Sequence, residues 1–127
     1  MPTKVRKKIM VVEDDRNVRD YIFTLIDRLG YNSATFDSAE SAMESFDGNP
    51  SAYSCAILDI WLEPGMDGFQ LYKHITARLP GFPVLFCTGL TDKNNVEKLK
   101  AHGDYLKKEF WAKDGVEAIE RLVRKAG

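Results

Sequence analysis

At 127 residues the chain makes one ordinary domain, long enough to bury about two-thirds of the surface its unfolded form exposes. Its 18 Lys and Arg nearly balance 19 Asp and Glu, which argues against a nucleic-acid binder held by bulk electrostatics. No apolar stretch reaches the length of a membrane span, and the start lacks the apolar core of a signal peptide. Lys4, Arg6, Lys7 and Lys8 make a basic start that reads as a solvated lead-in, residues 1–7, to the first strand.

Apolar runs of strand length then alternate with amphipathic stretches. The predicted strands are Ile9–Val12, Ser33–Phe36, Cys55–Leu58, Val84–Cys87 and Tyr105–Lys107. Several are apolar on successive residues, as in Cys55-Ala56-Ile57-Leu58, which suits a sheet covered on both faces. The first helix carries Val18, Tyr21, Ile22, Leu25, Ile26 and Leu29 at spacings of three and four, and Gly30 stops it. Three later pairs place a cap acceptor three residues before Glu or Gln: Asp37 with Glu40, Asp67 with Gln70, and Asp114 with Glu117. Arg78-Leu79-Pro80-Gly81 ends the third helix, and Val116 to about Arg124 forms the last. Strands alternating with helices predict parallel strands joined by right-handed crossovers, hence one α/β domain with its core over residues 8–124. No second, output domain is expected within residues 1–127. Cys55 and Cys87 lie inside strand-like runs without a CxxC or His pairing, so buried free thiols and a reducing cytoplasm are expected.

In open parallel sheets, ligands bind beyond the carboxyl ends of the strands. At those positions stand Glu13-Asp14-Asp15, then Asp59, then Thr88-Gly89, then Lys108. Carboxylates occupy the first loop, where a nucleotide-binding sheet would carry glycines for phosphate, so the site attracts a cation. Asp59 ends an apolar strand with no cap or turn role of its own. Beside Glu13 and Asp14 it makes a cluster of like charges that would force one acid to protonate unless a cation compensates. An all-oxygen, incomplete cage suits Mg²⁺. Asp15 reads as the cap of the first helix. An ionised Asp beside a metal can be a nucleophile that forms an aspartyl phosphate, with Lys108 bridging carboxylate and phosphate and Thr88 offering a hydroxyl donor. Alone, Thr88 is a strand-favouring residue and Lys108 one of many lysines.

The strings Ile9-Met10-Val11-Val12-Glu13-Asp14-Asp15, Leu58-Asp59 with Pro64-Gly65-Met66-Asp67-Gly68, Cys87-Thr88-Gly89 and Asp104-Tyr105-Leu106-Lys107-Lys108 resemble the signatures of response-regulator receiver domains. The resemblance runs from about Lys8 to Arg124. It implies a flavodoxin-like doubly wound sheet in the order 2-1-3-4-5 with five helices. It implies Asp59 as phosphoacceptor, and Mg²⁺ held by Asp14, Asp59 and the backbone carbonyl of Trp61, with Glu13 acting through a metal-bound water. Thr88 and Lys108 would hold the phosphoryl group, and Tyr105 would be an aromatic switch answering Thr88. The donor would be a sensor histidine kinase or histidine phosphotransfer protein. The face made by the fourth helix, fifth strand and fifth helix would control a downstream protein or output domain, or form a phosphorylation-dependent homodimer; neither nucleic acid nor membrane would be bound directly. Such a domain is regulatory, promoting only its own phosphorylation and dephosphorylation.

Three departures stand beside this. Pro64 comes one residue late after Asp59, the stretch Ala101-His102-Gly103-Asp104 is about one residue short, and the proline usual after the lysine is Glu109, which predicts a trans peptide bond there. Competing readings fare worse. A phosphatase working through an aspartyl phosphate needs a second acid two residues after the nucleophile, where this chain has Trp61. A flavin binder would meet a repelling acidic first loop. The alternative that keeps the fold is a receiver-like interaction module that is not phosphorylated.

Overall fold

A computed structural model describes residues 7–60, 65–88, 103–108 and 111–127, with the backbone alone described at Thr88. Five strands form one parallel sheet: β1 (Lys8–Val12), β2 (Ser33–Phe36), β3 (Tyr53–Asp59), β4 (Val84–Thr88) and β5 (Asp104–Lys107). Their order is β2-β1-β3-β4-β5, as the resemblance implied. Four α-helices stand among the described residues: α1 (Arg16–Arg28), α2 (Ala39–Gly48), α3 (Gly68–Arg78) and the C-terminal α4 (Trp111–Ala126). The helix expected between β4 and β5 falls mostly on residues 89–102, outside the described residues.

The unbroken apolar runs have a direct cause. Successive side chains on a strand point to opposite faces, and here both faces are roofed. Met10, Val12, Ala56, Leu58, Val84 and Phe86 pack on one side with Phe46 of α2 and Leu71 and Ile75 of α3. Ile9, Val11, Cys55, Ile57, Leu85 and Cys87 pack on the other with Ile22 and Ile26 of α1 and Ile119 and Leu122 of α4. Both cysteines are free and buried, as expected. No helix among the described residues is long and apolar enough to cross a membrane.

Helix ends follow local chemistry, with two corrections. Asp15 caps α1, its carboxylate accepting from the backbone N–H groups of Asn17 and Val18. Gly30, at φ +86°, closes that helix: its N–H donates to Asp27 O and that of Tyr31 to Ile26 O. This double bond pattern needs the left-handed residue that glycine adopts without a Cβ clash. Asp67 and Gln70 form the expected capping box on α3. The cap of α2, however, is Ser38 rather than Asp37; its hydroxyl accepts from Ser41 N–H, and Glu40 turns elsewhere. Asp114 caps nothing either, because α4 begins at Trp111 and Asp114 lies in its first turn, where its charge still suits the helix dipole. The last helix is thus longer at both ends than periodicity suggested.

Candidate functional site

Because every strand runs the same way, their carboxyl ends share one edge of the sheet. Val12 pairs with Leu58, Asp59 with Cys87, and Thr88 with Lys107, so the residues that end or follow these strands are neighbours. Glu13, Asp14 and Asp59 each bring one carboxylate oxygen to within 4.8 Å of the other two. Asp14 is exposed, whereas Glu13 and Asp59 are each only 1% exposed. Lys108 enters from the end of β5, with Nζ 2.8 Å from Glu13 Oε1 and 3.2 Å from Asp59 Oδ2. Towards Asp59 it donates a hydrogen bond, while towards Glu13 the contact is ionic and off the line of one, leaving Oε1 buried without a directional bond among the described residues.

Among the described residues two buried carboxylates face the Lys108 ammonium, and the proton affinities of Glu13 and Lys108 register that crowding. Burial, with a hydrogen bond to Asp59, pushes Glu13 from its ordinary 4.5 up to about 8, against the opposing pull of Lys108. Burial alone would lower Lys108, but its pairing with Glu13 and the charge of Asp59 outweigh that and hold it above the usual lysine range. Three clustered carboxylates that outnumber the Lys108 ammonium among the described residues make a donor set of the kind that suits a hard divalent cation.

Of the other residues singled out from sequence, Thr88 ends β4 at this edge, its side chain lying outside the described residues. Tyr105 sits in β5 opposite Phe86, half-buried against the core on the α2–α3 side. Trp61, Glu109 and their neighbouring loop residues lie outside the described residues.

Three supports escaped the sequence reading. Arg19 reaches back from the first turn of α1, its guanidinium donating to Glu13 O at 2.9 Å and approaching Asp14 O at 3.5 Å, so a cation braces the backbone of the acidic loop. Its place one turn past the Asp15 cap is the signal that could have found it. Gly68 begins α3 hard against the site: its N–H donates to Ile60 O, and a Cβ there would lie 1.9 Å from Asp59 O. Glu40 crosses from α2 to accept from Met66 N–H at 3.1 Å, fastening the far end of the loop that follows Asp59. The last two are long-range contacts with no local signature.

Comparison with known proteins agrees with this geometry. The family model described as "Response regulator receiver domain" matches residues 9–120. The chain is 32% identical over 120 residues to the transcriptional regulatory protein FixJ of Bradyrhizobium diazoefficiens, covering 93% of this chain and 57% of that protein. It is 29% identical to the response regulator receiver protein CpdR of Brucella abortus, covering 92% of this chain and 97% of that one. Among solved structures it resembles the receiver domain of NtrX from Brucella abortus, with TM-score 0.81 and 27% identity, covering 92% of this chain and 98% of that one. The chain thus spans little more than half of FixJ and nearly all of CpdR. Sheet order, acidic edge and matched length lead to one conclusion: this chain belongs to the response-regulator receiver domains of two-component signalling.

Proposed function

We propose that Asp59 accepts a phosphoryl group from a phosphohistidine of a sensor kinase or phosphotransfer protein, in a reaction dependent on Mg²⁺. The observation that carries this is the pairing of a buried Asp59 with Lys108, 3.2 Å away, beside two further carboxylates. Asp59 attacks phosphorus with a carboxylate oxygen; a P–O bond forms, the P–N bond to the imidazole breaks, and its electron pair stays on the histidine nitrogen. Lys108 already donates to Asp59 Oδ2 and is placed to hold charge on the incoming phosphoryl oxygens. Thr88, which ends the adjacent strand, would offer a hydroxyl to another oxygen. Asp14, Asp59 and the Trp61 carbonyl would hold Mg²⁺, with Glu13 reaching it through water. Bound there, the ion would neutralise charge on the phosphoryl oxygens. Arg19 keeps the carbonyls of Glu13 and Asp14 in place, and Gly68 keeps α3 close behind Asp59.

We read residues 1–127 as one receiver unit with its core over 8–124. Output would run from Thr88 through Tyr105 to the face made by the helix expected between β4 and β5, by β5 and by α4, which would meet a downstream protein, an output domain or a second copy. The test is intact-mass analysis after incubation with acetyl phosphate and Mg²⁺. Wild type should gain one phosphoryl group, and neither the Asp59→Asn variant nor wild type in chelator should. A wild type that takes up no phosphate favours the non-phosphorylated interaction module instead.

A further inference from the structure

Strand β4 ends beside the site in Cys87-Thr88, and Cys87 is held from three directions. It pairs with Asp59 across β3–β4, its carbonyl accepts from Ile60 N–H at 3.3 Å, and its sulfur accepts from the indole N–H of Trp111 at 3.1 Å. Cys87 is 1% exposed and Trp111 3%, so the N–H···S bond forms away from competing water. The indole occupies a built slot. A Cβ on Gly115 would lie 2.7 Å from Trp111 Cε3 and 3.1 Å from Leu25 Cδ1, so the glycine leaves room for the ring between α1 and the first turn of α4. Burial pushes the Cys87 thiol up to about 12, which keeps it a neutral acceptor for the indole.

Trp111 follows Lys108 by three residues, a span of about 10 Å at most. The short connection from β5 to α4 is therefore pinned at both ends to the carboxyl edge of β3 and β4. At one end Lys108 binds Glu13 and Asp59; at the other Trp111 binds Cys87. We propose that Trp111, through its hydrogen bond to Cys87, is a positioning residue that fixes where Lys108 presents its ammonium to Asp59. The inference rests on the reading of Asp59 as phosphoacceptor. Without the tether, the start of α4 loses its anchor to the carboxyl edge of β4, and Lys108, three residues before it, loses that constraint.

The test measures phosphoryl uptake from acetyl phosphate with Mg²⁺ as a function of donor concentration. The proteins are wild type, Trp111→Phe, Cys87→Ala, Cys87→Ser, Lys108→Ala and the Trp111→Phe/Lys108→Ala double variant. Trp111→Phe and Cys87→Ala should each lower the maximal rate about tenfold, the scale of losing a supporting contact behind a functional group, with half-saturation by donor unchanged. Cys87→Ser, which keeps an acceptor for the indole, should stay within about threefold of wild type, while the indole N–H resonance remains hydrogen-bonded. A packing role alone would instead favour Ala over the buried hydroxyl. In the Lys108→Ala background, Trp111→Phe should cost less than about twofold more, because groups acting through one another are not additive. Equal losses with and without Lys108, or equal rates for Cys87→Ala and Cys87→Ser, overturn the proposal, and the cysteine pair decides alone if Trp111→Phe does not fold. A wild type that takes up no phosphate overturns the phosphoacceptor reading and this inference together. A wild type that is phosphorylated but shows additive losses overturns only the inference.

Discussion

Replacing Asp59 with Asn should stabilise the fold in the absence of divalent cations while removing the nucleophile. Glu13 and Asp59 are both buried beside the Lys108 ammonium, so among the described residues of this cluster negative charge is in excess. Glu13 registers the conflict with a proton affinity raised from 4.5 to about 8. An acid whose folded value is raised stabilises the fold when protonated. That contribution is complete below pH 4.5 and is lost as pH rises through about 8. At about 1.4 kcal/mol per unit, the full loss approaches roughly 5 kcal/mol by the alkaline side of this window. Burial is the leading cause and persists in the variant, whereas the hydrogen bond and charge of Asp59 do not. Allowing further for solvent at the exposed Asp14 side, the variant should gain about 1 kcal/mol at pH 8. For a chain of this length that is about 4 °C in melting temperature. Lys108 keeps its 2.8 Å contact with Glu13, so the ammonium retains a partner. Thermal melts of both proteins in chelator, at pH 5 and pH 8, measure this. The advantage should be near zero at pH 5 and full at pH 8. A variant less stable than wild type at pH 8 would refute the reasoning, showing that the Asp59–Lys108 bond outweighs the carboxylate conflict.

Added Mg²⁺ should reverse that ranking: at a hundredfold over its dissociation constant it should raise wild-type stability by about 2.7 kcal/mol, and Asp14→Asn and Asp59→Asn by clearly less, read from melts across a Mg²⁺ titration. Gly68→Ala should cost about 3 kcal/mol or more in urea unfolding and slow phosphoryl uptake, because its methyl would fall 1.9 Å from Asp59 O, backbone that cannot swing aside. Burial pushes the Cys55 thiol up to about 11 and that of Cys87 to about 12, so at pH 8 both should react with a thiol reagent only as fast as the protein opens. Labelling that is fast and independent of added denaturant would count against buried, neutral thiols.

Much of the site was legible in the chain because parallel topology converts a one-dimensional fact into a three-dimensional one. Once Ile9–Val12, Cys55–Leu58 and Val84–Cys87 are read as strands running the same way, whatever follows each must meet at one edge. Glu13, Asp14, Asp59 and Lys108 do meet there. Helix-covered faces explain the continuous apolar runs, and local hydrogen bonding explains the Asp15 cap and the stop at Gly30. These are short-range signals, carried by residues a few positions apart.

What only the tertiary structure decided depends on distance through space. Glu40 has the spacing of a capping-box acid, yet its carboxylate binds Met66 N–H, 26 residues on, and the cap falls to Ser38. Asp114 looks like a helix start, but the helix already begins at Trp111, whose ring is buried against Cys87 and Gly115. Packing of a large aromatic outweighs a local cap worth about 1 kcal/mol, and no spacing rule encodes it. The electrostatic balance was hidden for the same reason. Counting acids predicts repulsion, but only the burial of Glu13 and its closeness to Asp59 and Lys108 set how strongly Glu13 holds a proton.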